Sequence, residues 1–372
     1  MAAKLLLFSD LHLDRPFRWA SAEGRRTRRR NLRDTLSRIV DLAGELEVDA
    51  LCCGGDLYEH EHFVPDTGDF LRGTFEALYP IPVLLAPGNH DWYGPGSLYH
   101  HVEWSPNVVV FSDAHFSPVE LVDGLTVWGA GHQAPAGTRG PFGGFHVDRG
   151  GANLAMFHGS EVSGFTAAAE QDPTKVAHAP FRVEEVPAAG FDHALLGHYH
   201  RPHAGEHHTY PGNPDPLEFG EDGQRGAVLV TVGDGSVSRE WFTVSCSDVG
   251  DVAVDLSGVS YVDEARQRVS AALAAHRGFV RLTLHGEVGE HVDVHSAELS
   301  LEAVAPQLEE LVVRVGAITV AYDLDAIAAE RSVRGQFVRS VEESADLDEE
   351  QRRRVIITGL RALAGRNDLA VR

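Results

Sequence analysis

The sequence has few cysteines and no long hydrophobic run. Three cysteines occur in 372 residues, and Cys52 and Cys53 are adjacent, so on a strand they would face opposite sides. This excludes a disulfide framework and a zinc site of paired thiolates, and predicts that the cysteines are packing residues. Because no apolar stretch reaches the roughly 18 residues that cross a bilayer, we expect no membrane span.

Positive charge is also scarce. The 32 Lys and Arg stand against 55 Asp and Glu, for a formal net charge of −23 at pH 7. Phosphate affinity comes mainly from Lys and Arg, so this total disfavours casual binding to nucleic acid or to a membrane. Residues 15–38 are the exception, with nine arginines. The Arg25–Arg33 cluster is interpreted either as a solvated helix face or as a phosphate-facing patch.

The chain length predicts two or three domains of roughly 100–200 residues each. Short apolar strands alternate with helical patterns over the first 245 residues, which predicts an α/β region with a mixed sheet covered by helices. The predicted strands are 4–9, 48–53, 81–86, 108–111, 125–129, 153–157, 192–196, 226–232 and 239–245. The apolar stretch in "MAAKLLLFSD" is too short for a signal peptide, so we expect a cytoplasmic protein.

Composition changes near residue 246, and the pattern beyond it predicts a small α+β domain followed by helices. The predicted elements of that domain are helix 262–276, strand 279–285, helix 298–310 and strand 311–321. From about residue 323 the chain is predicted to be helical to its end. The predicted domains are therefore 1–245, 246–322 and 323–372.

Five short polar segments each follow a predicted strand. They are "FSDLHLD" (8–14), "CGGDLYEHEH" (53–62), "APGNHDWYG" (86–94), "AMFHGS" (155–160) and "LLGHYHRPH" (195–203). Ligands of open α/β sheets bind beyond the carboxyl ends of the strands. We therefore expect the five segments to meet along one edge.

The side chains in these segments form a mixed set of oxygen and nitrogen donors without thiolate. The candidate metal ligands are Asp10, His12, Asp56, Asn89, His158, His198 and His200. Such a set suits Mn²⁺, Fe²⁺ or Zn²⁺ better than Ca²⁺. Seven ligands are too many for one ion, but they fit two ions about 3.5–4 Å apart that share a bridging carboxylate.

The blocks DxH, GGD, GNHD, an isolated His after a strand, and GHxH occur here in the order typical of one family. The sequence resembles the calcineurin-like metallophosphoesterases. The resemblance implies an α/β fold, a four-layer sandwich of mixed β-sheets flanked by helices, here with a small α+β cap domain and C-terminal helices. It also implies two divalent ions, most simply Mn²⁺, with Fe²⁺ or Zn²⁺ as alternatives.

The same resemblance implies a role for each residue of the five blocks. Asp10, His12 and His200 would hold one metal, and Asn89, His158 and His198 the other, with Asp56 as the bridge. His90 would meet the phosphate and protonate the leaving oxygen. Asp91 would orient His90 or the loop. Five further histidines are interpreted as ordinary packing or surface residues, or as groove lining: His60, His62, His203, His207 and His208.

A later segment, "TYPGNPDPLEFGED" (209–222), resembles the SbcD-type DNA-repair exonucleases and their eukaryotic double-strand-break relatives. Two positions depart from that pattern: Asn213 stands where Ser is commoner, and Asp14 stands where Gly is frequent. These departures leave a related exonuclease branch open.

The resemblance implies a metal-dependent DNA exonuclease or endonuclease, the nuclease subunit of a nuclease–ATPase repair complex. It implies a homodimer and an SMC-like, SbcC-type coiled-coil ATPase that binds the C-terminal helices. The residues predicted to face that ATPase, with packing inside the chain as an equal alternative, are Phe337, Val338, Val355, Ile356 and Leu360. Two other functions are open: a phosphoesterase acting on small nucleotides or phosphoproteins, and a non-catalytic scaffold for the ATPase.

Overall fold

The computed structural model describes residues 2–122, 124–163, 177–233 and 235–365. The chain forms two compact units, Met1–Asp248 and Val249–Arg372. The C-terminal helices thus belong to the same unit as the α+β region, and the division into three domains stays a prediction. The last residues of the predicted segment 323–372, from 366 onwards, lie outside the described residues. Among the helices that are described, none is both long and apolar enough to cross a membrane.

The strands of the first unit, numbered along the chain, form two sheets. They are β1 (Ala3–Phe8), β2 (Ala50–Cys53), β3 (Val83–Leu85), β4 (Val108–Val110), β5 (Ser117–Val122), β6 (Leu125–Gly129), β7 (Ala152–His158), β8 (His193–Gly197), β9 (His203–Ala204), β10 (His208–Tyr210), β11 (Gly226–Gly233) and β12 (Ser236–Thr243). One sheet has the order β12-β11-β1-β2-β3-β4 and the other β5-β6-β7-β8-β10-β9. Parallel pairs such as β1–β2 and β7–β8 coexist with antiparallel pairs such as β1–β11 and β5–β6, so both sheets are mixed, as predicted.

The central strands are apolar on both faces because both faces are covered. In β1, Leu6 and Phe8 pack towards the helices, whereas Leu5 and Leu7 pack against the second sheet. Cys53 lies on the helix side and Cys52 between the sheets, and both thiols are buried. These two cysteines are therefore packing residues on opposite faces of a strand.

Helices and aromatic side chains form the two outer layers of the first unit. Its helices are α1 (Ala22–Glu45), α2 (Thr67–Glu76), α3 (Leu98–His101) and α4 (Glu185–Ala188). The long helix α1 begins where the side chain of Ser21 accepts a hydrogen bond from the Gly24 amide, and it buries an apolar face against the first sheet. The outer face of the second sheet is covered by α4 and a cluster of phenylalanines: Phe116, Phe142, Phe157, Phe181 and Phe191.

The two sheets touch at the backbone of two glycines. Gly54 follows β2 and Gly197 ends β8, and a Cβ atom on Gly197 would lie 2.2 Å from the carbonyl oxygen of Gly54. A Cβ atom on Gly54 would lie 2.9 Å from the amide nitrogen of Gly197. Both distances are shorter than real Cβ contacts, so neither position accepts a side chain without moving a strand.

The second unit has its own parallel sheet. Its strands are β13 (Val249–Asp255), β14 (Phe279–Gly289) and β15 (Glu310–Ala321), in the order β13-β14-β15. Its helices are α5 (Val262–Leu273), a 3₁₀ turn (Ala297–Leu299), α6 (Leu301–Val304), α7 (Leu324–Ala329), α8 (Val333–Glu342) and α9 (Glu349–Leu363). The predicted helix 262–276 corresponds to α5, and the predicted strand 279–285 corresponds to β14. Strand β13 was not predicted, although Val252 and Val254 alternate with other residues along it.

The predicted helix 298–310 is wrong. The structure has the 3₁₀ turn and the single turn α6, and the chain becomes strand β15 at Glu310. Pro306 accounts for the difference, because a proline has no amide hydrogen to continue a helix and disfavours helical dihedrals in the residue before it. Ala305 accordingly has φ −154° and ψ 58°.

The helices α7 to α9 pack on one another through a small core of their own. Val338 is 0% exposed, and Ile356 and Leu360 are each 2% exposed. A Cβ atom on Gly359 would lie 2.1 Å from the ring of Phe337, so this ring also lies against α9. The prediction that these residues face a partner is therefore wrong for Val338, Ile356 and Leu360, which are packed inside the unit. Of the five, Val355 is exposed.

Replacing Gly197 with alanine should push the two sheets apart. We expect the free energy of unfolding to fall by about 1–3 kcal/mol, because the added methyl group has no room. Gly73→Ala is the matched control: Gly73 lies within α2, and a Cβ atom added there would have nothing within 4 Å, so alanine should stabilise the helix by about 0.5–1 kcal/mol. Urea denaturation measures both. Equal effects at the two positions would contradict the sheet contact.

Truncating buried Ile356 should be far more costly than truncating its exposed neighbour. We expect Ile356→Ala to lower the free energy of unfolding by about 2–5 kcal/mol through the cavity it leaves. Val355→Ala, the control, should change stability by less than about 1 kcal/mol. Comparable losses in urea denaturation would show that α9 does not pack through Ile356.

Candidate metal centre

The carboxyl ends of five parallel strands bring the predicted ligands together. Each ligand follows or ends a strand: Asp10 and His12 after β1, Asp56 after β2, Asn89 after β3, His158 at the end of β7, and His198 and His200 after β8. Since β1, β2 and β3 are parallel neighbours, and so are β7 and β8, each sheet presents its polar ends at one edge. The His158 Nδ1 atom lies 2.9 Å from the Gly54 carbonyl oxygen, which joins the two edges.

Four of the predicted ligands have a left-handed backbone. The φ angles are 55° at Asp10, 51° at His12, 52° at Asp56 and 114° at His198. Residues other than glycine rarely adopt such angles, which cost roughly 1–3 kcal/mol each. Backbone hydrogen bonds hold the loops in this conformation, from Asp10 to the Gly55 carbonyl at 2.9 Å and from His12 to the Asp56 carbonyl at 2.9 Å. Strain that clusters in this way is typical of functional sites.

Asp56 lies at the middle of the cluster. Its Oδ2 atom is 3.2 Å from His158 Nε2 and 3.7 Å from His12 Nε2, while Oδ1 accepts a hydrogen bond of 2.8 Å from the His90 amide. Burial opposes ionisation of this carboxyl group, but the adjacent His158 and His12 hold its pKa well below the usual range. Gly88 makes room for the carboxylate, because a Cβ atom there would lie 2.3 Å from Oδ1.

The donor atoms fit divalent metal ions. Three groups each have their candidate ligand atoms within 4.8 Å of one another: Asp10, His12 and His200; Asp10, Asp56 and His158; and His12, Asp56 and His90. The His12 Nε2 atom is buried and has no hydrogen-bond partner among the residues that the structure describes. This suits a metal ligand, since a buried polar atom is otherwise paired. Two of the groups share Asp10 and two share Asp56, as expected for adjacent sites.

The remaining predicted ligands lie at the same centre. The Asn89 Oδ1 atom is 3.2 Å from His158 Nε2. The His198 amide donates to both carboxylate oxygens of Asp10 at 3.1 Å, and its ring centroid lies 5.1 Å from that of His158. Burial holds the pKa of His198 well below its usual value, so the ring is neutral, as metal ligation requires.

Glu59 was not predicted as a site residue, yet it contacts two of the histidines. Its Oε1 atom accepts from His12 Nδ1 at 3.0 Å and its Oε2 atom accepts from His90 Nδ1 at 3.0 Å. Burial opposes ionisation of Glu59, but the hydrogen bonds from His12 and His90 hold its pKa well below the usual range. Because each ring uses Nδ1 for Glu59, each directs Nε2 away from it, as carboxylates that orient metal-bound histidines do.

The His90 side chain is exposed to solvent. The exposed fraction is 44%, and its ring is edge-on to His12 with the centroids 4.8 Å apart. Burial lowers its pKa, but the hydrogen bond to Glu59 and the charge of Asp56 outweigh this and raise the pKa to about 9. In this arrangement the imidazole is held from one side and open on the other.

Asp91 fixes the loops and does not contact His90. Its carboxylate accepts hydrogen bonds from the amides of Gly88 at 2.6 Å, Leu57 at 2.7 Å and Asp56 at 3.2 Å. It also accepts from the Tyr99 hydroxyl at 2.6 Å. Burial, with a contribution from Asp56, raises its pKa to about 6. The predicted role of orienting His90 is therefore wrong, because Glu59 makes that contact, whereas the alternative of holding the loop agrees with the structure.

A comparison with known protein families identifies the family to which the chain belongs. A model of the family "Calcineurin-like phosphoesterase" matches residues 3–213, more than half of the chain. The chain belongs to this family. The calcineurin-like phosphoesterases bind divalent metals and hydrolyse phosphoester bonds, which agrees with the mixed α/β fold and with the clustered aspartate and histidine ligands.

The segment 209–222 of this calcineurin-like phosphoesterase is hydrogen-bonded into the centre. Glu221 accepts from His200 Nδ1 at 2.7 Å through Oε1. Its Oε2 atom accepts from Asn213 Nδ2 and from the Leu217 amide, both at 2.6 Å. Burial opposes ionisation, but the hydrogen bond from His200 lowers the pKa of Glu221 to about 2. Glu221 thus orients His200, and Asn213 orients Glu221. The sequence pattern contained both residues, but their partners were not predicted.

The other histidines near the phosphoesterase centre make ring contacts. His60 lies against Trp92 with the centroids 4.1 Å apart, and His208 is buried with its ring 5.1 Å from that of His203. Two histidines that the sequence did not single out contact candidate metal ligands. His132 Nε2 is 2.8 Å from the His158 carbonyl oxygen, and the His178 ring is 5.5 Å from that of His198.

An open cleft of about 980 Å³ adjoins the candidate metal centre. Asp56, Asn89, His90, His198 and His200 all line it, together with His178. The walls carry charges of both signs, among them Arg201, Glu161 and Asp222. The phosphoesterase centre is therefore accessible to a substrate.

Two curated relatives of this phosphoesterase cover a similar part of the chain. The "Uncharacterized metallophosphoesterase YhaO" of Bacillus subtilis (strain 168) is 29% identical over 259 residues, 63% of this chain and 58% of that protein. The "DNA double-strand break repair protein Mre11" of Haloferax volcanii is 28% identical over 257 residues, 65% of this chain and 53% of that protein. The matched regions span somewhat more than half the length of these relatives.

Removing the charge of Glu221 should weaken metal binding. We expect Glu221→Gln to lower Mn²⁺ affinity about 10- to 100-fold, because His200 loses the carboxylate that orients its ring. Isothermal titration calorimetry with MnCl₂ measures the affinity. Glu206→Gln is the control, since the Glu206 side chain is 88% exposed. An affinity for Glu221→Gln equal to that of the control would show that Glu221 does not support the site.

Proposed function

We propose that this phosphoesterase is a two-metal DNA exonuclease or endonuclease, the nuclease subunit of a nuclease–ATPase repair complex. One observation carries the proposal: the segment that resembles the SbcD-type nucleases contributes Glu221, which holds His200 at 2.7 Å. The pattern that distinguishes this branch is therefore part of the site and not a distant loop. The similarity to the Mre11 protein of Haloferax volcanii supports the same branch.

Each proposed ligand set combines residues from both sheet edges. Asp10, His12 and His200 would hold one ion and Asn89, His158 and His198 the other, with Asp56 shared between them. When bound, two divalent ions offset phosphate charge and lower the pKa of water, which allows hydrolysis at neutral pH. The strained loops keep the ligands in place before any substrate arrives, so little reorganisation is needed. Mn²⁺ is the proposed ion because the donors are carboxylate, amide and imidazole.

His90 is the proposed proton donor to the leaving oxygen of the ester. Its Nδ1 atom is held by Glu59 at 3.0 Å and its ring is exposed at the cleft. The Nε2 atom is thereby left to face a phosphoester bound at the ions. A positioned general acid of this kind contributes typically about 10²–10⁴-fold to the rate.

The ATPase partner and the homodimer are part of the same proposal. Burial removes Val338, Ile356 and Leu360 from any docking surface. Val355 is 40% exposed and Leu363 is 52% exposed, so the apolar surface that α9 offers lies at these two side chains.

The acidic balance of the chain favours a second candidate, a phosphoesterase for small nucleotides or phosphoproteins. A net charge of −23 slows the encounter with a long polyanion far more than with a small phosphoester. The two candidates differ in the ratio of kcat/KM values for Mn²⁺-dependent cleavage of oligonucleotides, cyclic nucleotides and phosphopeptides. A higher kcat/KM for either small substrate than for DNA would refute the nuclease proposal.

Replacing His90 should abolish DNA cleavage without emptying the metal centre. We expect His90→Ala to lower kcat for a labelled oligonucleotide in Mn²⁺ by about 10²–10⁴-fold, with metal content unchanged by atomic emission spectrometry. His115→Ala is the control, because the His115 side chain is 88% exposed. Wild-type rates for His90→Ala at full metal content would exclude His90 as the proton donor.

A further inference from the structure

An arginine face near the start of α1 has no role in the centre described above. It consists of two adjacent pairs separated by one helical turn: Arg25 and Arg26, and Arg29 and Arg30. Residues of the two pairs that lie three or four positions apart are neighbours on the helix surface. Arg26 and Arg30 are exposed and the other two are partly exposed. Within the described ranges, none of the four forms an ion pair with a carboxylate, whereas Arg33 of the same helix pairs with Asp66 at 2.8 Å.

The arginine face weakens the helix that carries it. Like charges at three- and four-residue spacing repel one another. Arg25 and Arg26 also lie near the helix start, where the macrodipole favours acidic residues, and Glu23 is the acidic residue in the first turn. The charges at these positions therefore do not stabilise the helix. Local conflicts of this kind are expected at functional sites. An anionic partner would resolve the conflict.

Buried contacts tie this helix to the loop next to the metal centre. Arg28 is fully buried and pairs with Asp215 at 2.8 Å, and its guanidinium lies 4.8 Å from the centroid of the Phe17 ring. Asp215 belongs to the same segment as Glu221, which holds His200. The arginine face is thus fixed relative to the centre and not carried on a separate, movable element.

An aromatic pair connects the start of α1 to the segment that carries Glu221, because Trp19 is two residues before the N-cap Ser21. Trp19 and Phe219 are both partly exposed, and their ring centroids are 4.5 Å apart. Trp19 is also 6.0 Å from the Phe17 ring, which contacts Arg28. Phe219 is two residues before Glu221 in the chain. Basic side chains and accessible aromatic rings are the two elements of a single-strand binding surface.

We propose that the arginine face and the Trp19–Phe219 pair form a track for a single-stranded segment of DNA that leads from the metal centre; this rests on the proposed nuclease function. The four arginines bind backbone phosphates, and the aromatic pair stacks on a base. With a net charge of −23, much of the protein surface repels a strand, so a local cluster of arginines decides where the strand lies.

The test neutralises the two exposed arginines in the full chain loaded with Mn²⁺. The probe is a fluorescein-labelled phosphorothioate oligothymidylate, whose binding is followed by fluorescence anisotropy over a range of NaCl concentrations. For Arg26→Gln/Arg30→Gln we expect the slope of log K against log [NaCl] to become less steep by about 1.4, because each phosphate contact on a single strand contributes about 0.7. Turnover of bis(p-nitrophenyl) phosphate, which is too small to reach the track, should be unchanged.

The matched control removes two charges elsewhere. Arg182 and Arg266 have side chains 63% and 43% exposed, and Arg182→Gln/Arg266→Gln should keep the wild-type slope. Trp19→Ala should weaken binding about tenfold through the lost stacking, whereas Trp19→Phe should restore most of it. A slope for Arg26→Gln/Arg30→Gln equal to that of wild type, in protein that cleaves DNA, would overturn the track alone. Hydrolysis of bis(p-nitrophenyl) phosphate by wild-type protein that neither binds nor cuts DNA would overturn the nuclease function, and the track with it.

Discussion

The backbone contact between Gly54 and Gly197 is the constraint on which the centre depends. One sheet carries four of the seven candidate ligands and the other sheet carries three, so neither sheet forms the candidate centre alone. The two sets meet because two strand ends approach without an intervening side chain, with 2.2 Å between a hypothetical Cβ on Gly197 and the Gly54 oxygen. The glycines of the GGD and GHxH blocks thus have a structural reason that is separate from metal binding.

Carboxylates behind the histidines form the second level of organisation. Glu59 holds His12 and His90, and Glu221 holds His200. Each carboxylate selects the tautomer of its imidazole and limits the rotation of the ring. Glu221 is itself held by Asn213 and by the Leu217 amide. The orientation of His200 therefore depends on the segment 209–222.

Much of the core and the convergence of the five segments could be predicted from the sequence, because strands and the polar residues after them are local patterns. Contacts between segments that are distant in the sequence could not be predicted. Glu59 is one of many surface-like carboxylates until the fold places it beside His90. Of the two roles predicted for Asp91, orienting His90 was wrong for the same reason, whereas holding the loop agrees with the structure. The helix expected over 298–310 was a local error, because Pro306 disfavours helical dihedrals in Ala305.

A single carboxylate serves both a candidate metal ligand and the candidate proton donor. Both oxygens of Glu59 are used, one by His12 and one by His90. A stronger hydrogen bond from one imidazole draws the negative charge of the carboxylate towards that ring and weakens the bond to the other. The protonation of the two imidazoles is therefore coupled. A metal ion held by His12 would therefore change the proton affinity of His90, because both imidazoles depend on the carboxylate of Glu59.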